Sequence, residues 1–144
     1  MREVAFCPTG AGLRPYDALV RVVLVRHAEA APGAPDELRP LTPQGREQVR
    51  ALARVVPRPD AIVSSPLLRA RETAELLGEA VGVTAETDER LEPGATAADV
   101  LETTAGRGET VIVVAHQPDC GLIAAALGAG EVAFPPGGHC VLHV

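Results

Sequence analysis

Four side chains are able to do chemistry together: Arg26 and His27 side by side, Arg69, and His116. Arginine presents a planar fork that matches two oxygens of a phosphate. A neutral imidazole is a nucleophile near pH 7 because its pKa lies close by, and a protonated one donates to developing negative charge. Arginine identity by itself says little here, because every basic residue of the chain is Arg and none is Lys. Position has to carry the argument. Arg26 and His27 follow the apolar run 22–25, Arg69 follows the run 61–65, and His116 follows the run 111–115.

Those runs are β-branched and short, the pattern of strands buried on both faces. Helical segments alternate with them. Thr42-Pro43 reads as an N-cap followed by proline at the first helical position, with Val49, Leu52, Ala53 and Val56 on one face and Pro57 and Pro59 beyond the end. Ser65-Pro66 repeats that signal ahead of a helix that buries Leu67, Ala70, Ala74 and Leu77 and closes at Gly78 or Gly82. A weaker strand is expected over 83–87. Thr96 and Asp99 resemble a capping box, Asp119 is expected to cap a small-residue helix, and 140–144 reads as a last strand. Strands alternating with helices predict an α/β fold: a three-layer α/β/α sandwich on a mostly parallel central sheet. Residues 21–144 read as a single domain. Residues 1–20 read as an N-terminal extension of unclear role, with 4–6 a candidate edge strand. Gly10-x-Gly12 lacks the third glycine and the strand–helix context of a dinucleotide fingerprint.

Ligands of open α/β sheets bind beyond the carboxyl ends of the strands. Two arginines and two histidines therefore meet at one rim in a chain of net charge −6. Desolvated cations that close together repel unless an anion sits between them, so the pocket predicts a doubly charged anion, and phosphate fits best. Arg26 and Arg69 become the clamps. Helix N-termini near Ser65 and Asp119 would add N–H groups. Side-chain chemistry leaves open which histidine attacks.

The same residues carry a resemblance to a known family. Leu24-Val25-Arg26-His27-Ala28-Glu29 resembles the R-H-G or R-H-A signature of the histidine phosphatase (phosphoglycerate mutase-like) superfamily. Leu41-Thr42-x-x-Gly45, Ser64-Ser65-Pro66-x-x-Arg69-Ala70-x-x-Thr73-Ala74 and Val113-Val114-Ala115-His116-Gln117-Pro118 resemble its later signatures, in order. The resemblance spans about 21–144, and the short length is similar to the SixA-like phosphohistidine phosphatase branch. It implies that His27 becomes phosphorylated, that Arg26, Arg69 and His116 complete the phosphate pocket, and that no metal or other cofactor takes part. Glu92 lies roughly where larger members place a proton donor. Glu29, next but one after His27, is a candidate pocket residue, as is Ser65. Asp36 and Glu37 read as solvated loop charges that could otherwise repel anionic substrates.

Composition narrows the partners. Only 2% of residues are aromatic, too few for repeated base-stacking platforms, and the negative charge opposes nucleic-acid or anionic-membrane binding. The apolar stretch 121–130 is too short to span a bilayer, and the N-terminus lacks a secretory pattern, so a soluble cytoplasmic protein is expected. Cys7, Cys120 and Cys140 have no metal-ligand spacing and read as idle thiols, with a Cys7–Cys140 disulfide left open. Three functions fit. The first is a phosphatase acting on phosphohistidine in a protein. The second is a phosphatase acting on a nucleotide or sugar phosphate. The third is a phosphate- or phosphoprotein-binding module with little turnover.

Overall fold

The computed structural model describes residues 20–144. The continuous apolar runs form the middle of the sheet. Strand β1 (Arg21–Arg26) lies between β4 (Thr110–Ala115) and β5 (His139–His143), and β2 (Ala61–Ser64) and β3 (Ala85–Thr87) extend the other side, in the order β3-β2-β4-β1-β5. Four strands run parallel, and β5 alone pairs antiparallel, with Val23 opposite Val141. Strand side chains alternate between faces, so β1 divides its residues between two cores. Val22 and Leu24 pack with Val100, Cys120 and Ile123 from α3 (Ala97–Thr104) and α4 (Asp119–Ala126). Val23 and Val25 pack with Val49, Leu52, Ala70, Ala74 and Leu77 from α1 (Pro43–Ala53) and α2 (Leu68–Val81). This is the three-layer α/β/α sandwich expected.

Local chemistry sets most boundaries. Thr42 caps α1 by accepting from Gly45 N, with Pro43 opening the helix. Gly82 ends α2 in the left-handed conformation at φ 79°, which a side chain would strain. Thr96 and Asp99 form the reciprocal capping box of α3. Two expectations shift. Helix α2 is capped at Leu67 without a side-chain bond, so Ser65 is not its cap; the Ser65 hydroxyl is used at the rim instead. Likewise α4 takes Pro118 as its cap, and Asp119 is its first residue. Strand β3 is shorter than expected, and β5 begins at His139 rather than Cys140. His143 is exposed and His139 half-buried, as expected for an edge strand. The expectations for 4–6, for Gly10-x-Gly12 and for Cys7 lie outside the described residues. Cys120 and Cys140 are free thiols.

Candidate active site

The parallel order of β1, β2 and β4 brings their carboxyl ends to one edge, and the backbone ladder runs one residue past each strand. His27 N donates to Ala115 O at 3.1 Å, and Ser65 N donates to Val114 O at 3.0 Å. His27 and Ser65 are thereby hung on either side of the end of β4, where His116 follows. The ring centroids of His27 and His116 are 5.3 Å apart. Arg69 reaches in from the first turn of α2, and its Nε donates to His27 Nε2 at 3.3 Å. Arg26 is anchored by a bond from its Nη1 to Phe134 O at 3.0 Å.

Hydrogen bonds define the histidine tautomers. His27 Nδ1 lies 2.8 Å from Ala28 O, and a carbonyl only accepts, so Nδ1 carries the proton. His27 Nε2 is then a lone pair, consistent with the Arg69 N–H directed at it. Ser65 Oγ accepts from Leu67 N at 3.2 Å and lies 2.8 Å from His116 Nε2. Among the described residues His116 is the only hydrogen-bond partner able to take the Ser65 proton. His116 Nδ1 is buried without a hydrogen-bond partner, as is Arg26 Nε; the tautomer in which His116 Nε2 accepts the Ser65 proton carries its own proton on Nδ1. The site thus holds one unprotonated imidazole nitrogen, His27 Nε2, with Arg69 Nε directed at it, and two buried nitrogens without a partner, His116 Nδ1 and Arg26 Nε.

Both imidazoles are neutral in the free protein. Burial lowers the His27 pKa to about 4, against the Ala28 bond and with help from the charges of Arg69, Arg26 and Arg39. Burial, His27 and Arg69 lower His116 to about 3. In the neutral state His116 can still donate one N–H, and a bound phosphoryl dianion would favour the protonated form that the side-chain chemistry invokes.

The remaining sequence candidates separate. The Glu29 carboxylate accepts from Thr42 Oγ1 at 2.7 Å, and its backbone N–H donates to Gln48 Oε1, so it fastens the loop after β1 to the start of α1. Glu92 is exposed, at the end of the short 3-10 turn Glu89–Leu91, and the loop behind it is tied down where Asp119 Oδ2 accepts from Gly94 N at 2.7 Å. Two contributors had been passed over. Buried Thr73 accepts from Ala28 N at 3.0 Å and donates to Arg69 O at 2.8 Å, joining α2 to the loop after β1; its place in the second signature was the available signal. Asp36, read as a solvated charge, accepts from Arg69 Nη2 at 3.2 Å and from Arg39 Nη1 at 3.0 Å. These two arginines hold its carboxyl below the usual carboxylate range, the Arg39 bond being the larger influence. The signal for it was the Asp36–Arg39 spacing, one turn apart.

The family model described as histidine phosphatase superfamily (branch 1) matches residues 22–93, which include Arg26, His27 and Arg69. This chain belongs to that superfamily. Phosphohistidine phosphatase SixA of Escherichia coli K12 is 31% identical over 128 residues, covering 81% of this chain and 78% of the relative. An uncharacterized protein of Picosynechococcus is 34% identical over 113 residues, covering 72% of this chain and 68% of that protein. A solved structure of the protein histidine phosphatase SixA complexed with tungstate superposes with a TM-score of 0.74 at 28% identity, covering 85% of this chain and 86% of that one. The histidine phosphatase described here is a hydrolase of the SixA-like branch with the phosphoglycerate mutase-like fold.

Proposed function

We propose that this histidine phosphatase removes the phosphoryl group from phosphohistidine in a partner protein, through a phosphoryl intermediate on His27 Nε2. The observation that carries the proposal is the unprotonated, buried Nε2, fixed by the Nδ1–H bond to Ala28 O and accepting from Arg69 Nε. In the first step the lone pair forms the new N–P bond while the bond from phosphorus to the substrate nitrogen breaks. Arg26 Nε, Arg69 and His116 Nδ1–H serve as donors to the phosphoryl oxygens, the electrostatic stabilisation on which phosphoryl transfer depends. In the second step water attacks phosphorus, the His27–phosphorus bond breaks, and phosphate leaves.

The leaving group supports the substrate class. An alkoxide has to be protonated as it leaves, whereas imidazole, with an ordinary pKa near 6.5, leaves readily once protonated. Among the described residues, Asp36 is the one carboxyl group hydrogen-bonded to the His27–Arg69 pair, and its arginine partners keep it ionised, unsuited to giving up a proton. Glu92 is solvated. A site of this kind suits a nitrogen leaving group better than a sugar alkoxide. The similarity to SixA supports the same reading, and tungstate, a tetrahedral oxyanion, supports an anion site in that relative.

The test is phosphate release from a phosphohistidine-bearing protein, run beside a panel of nucleotides and sugar phosphates, with His27→Ala as control. The expected outcome is release from phosphohistidine that exceeds every small molecule in kcat/KM and is abolished in the variant. Preference for a small phosphate compound would overturn the substrate. Tight phosphate binding without release from any substrate would reduce the chain to a binding module.

A further inference from the structure

The loop from Ala28 to Leu41 does more than cover the site. It is held against the body of the protein by Ala31 N to Pro40 O, Thr42 N to Glu29 O, and Leu41 N to Glu72 Oε1 at 2.8 Å. At its tip Asp36 opens the short 3-10 turn Asp36–Leu38. Arg69 meets this turn with both terminal nitrogens: Nη1 donates to Asp36 O at 2.9 Å, and Nη2 donates to Asp36 Oδ2 at 3.2 Å. The third nitrogen, Nε, is the one directed at His27. On its other oxygen Asp36 accepts from Arg39 Nη1, and Arg39 is itself oriented by a bond from Nε to Ala31 O at 2.8 Å. One carboxylate, 58% exposed, is thus held on the far side of the guanidinium that faces the nucleophile.

The arrangement has a consequence for substrates. Bonded to both Arg39 and Arg69, Asp36 offsets one of their two positive charges, so a second anionic group brought in with the phosphoryl is attracted less than it would be without this carboxylate. We infer that Asp36 is a specificity-determining residue. Its carboxylate, bracketed by Arg39 and Arg69 at the mouth of the site, selects phosphoryl groups on neutral or cationic leaving groups over those carrying another anionic group nearby. The inference rests on the phosphatase reading and narrows its substrate class: an imidazole passes this filter, whereas carboxylated and multiply phosphorylated small molecules are disfavoured.

The experiment compares kcat/KM for 4-nitrophenyl phosphate with that for the same compound carrying a ring carboxylate, in the wild type, Asp36→Asn and Asp36→Ser. Taking the preference as a ratio cancels any general loss of activity and any intrinsic difference between the two leaving groups. Both variants are expected to reduce the wild-type preference for the compound without the ring carboxylate by about tenfold, the scale of two unit charges a few ångströms apart at a partly solvated site. The difference between wild type and variants is expected to shrink as ionic strength rises from about 0.01 M to about 1 M, where the Debye length falls from about 30 Å to about 3 Å. Variants that keep the wild-type preference within about twofold, or that lower both substrates equally, would overturn the inference and leave Asp36 as a positioning residue for Arg69. So would a difference between wild type and variants that is independent of salt; the two substitutions, which differ in size, separate a charge effect from a packing one. Failure of the phosphohistidine reading is a separate result: aryl phosphates turned over, with none released from the phosphohistidine protein.

Discussion

At the scale of single residues, the site works through proton placement. In the proposed mechanism the carbonyl at Nδ1 leaves the His27 Nε2 lone pair to attack, and Ser65 at Nε2 lets His116 donate from Nδ1. The two histidines thereby present opposite faces of the same chemistry, although both are neutral. Ser65 acts as a positioning residue in this reading, since it touches His116 and Leu67 N. Ser65→Ala is expected to lower kcat by about 10- to 100-fold, the usual size for loss of a supporting hydrogen bond at a catalytic centre. KM should move much less. Because the alanine variant frees His116 to adopt either tautomer, the pH profile of kcat should change along with its height, and Ser65→Thr should restore both. A uniform fall in folded protein, with kcat and pH profile intact, would make Ser65 merely structural.

At the scale of elements, precision comes from short ties between neighbouring segments. Helix α1 approaches the loop after β1 so closely at Gly45 that an added Cβ would lie 2.2 Å from Glu29 O. The same loop is held by Thr42, which caps α1 and also donates to the Glu29 carboxylate. Gly45→Ala must therefore push α1 and residues 28–41 apart. Overpacking of this kind costs about 1–3 kcal/mol. The expected outcome is a lowered midpoint of urea unfolding together with reduced kcat/KM, because Ala28, Asp36 and Arg39 move with the loop. An unchanged midpoint would show that the loop yields freely and that its anchoring contributes little to the site.

At the scale of the whole molecule, a chain of net charge −6 concentrates Arg26, Arg39 and Arg69 around two buried histidines. This costs stability in acid. The folded pKa values of His27 and His116, about 4 and about 3, lie below the unfolded value near 6.5. As pH falls beneath about 6.5 the unfolded chain takes up protons that the folded one refuses, so unfolding becomes easier. The stabilisation is fully present above that pH and is lost progressively down to the folded values. Between pH 7 and pH 5 the loss should be on the order of 1–2 kcal/mol per histidine, read from urea unfolding. His116→Asn should shrink the pH dependence by about half. A flat profile between those pH values would show that the two imidazoles are not desolvated in the folded state.

Much of this was legible in the sequence because it rests on local rules. Buried runs of β-branched residues, alternating with capped helices, already specify a parallel sheet, and the strand-end rule already gathers Arg26, His27, Arg69 and His116 at one edge. The Thr42 cap and the Thr96–Asp99 box were readable for the same reason: each involves residues three positions apart. Tertiary structure alone decided how those side chains are used. Ser65 bonds His116 across 51 positions, Thr73 bonds Ala28 across 45, and Asp36 meets Arg69 across 33. No spacing rule links such pairs, because their separation is set by packing of β1, β2 and β4 and by the path of one loop. The residue types of the site belong to the sequence. Which nitrogen of His27 carries a proton, and which carboxylate stands behind Arg69, are properties of the fold.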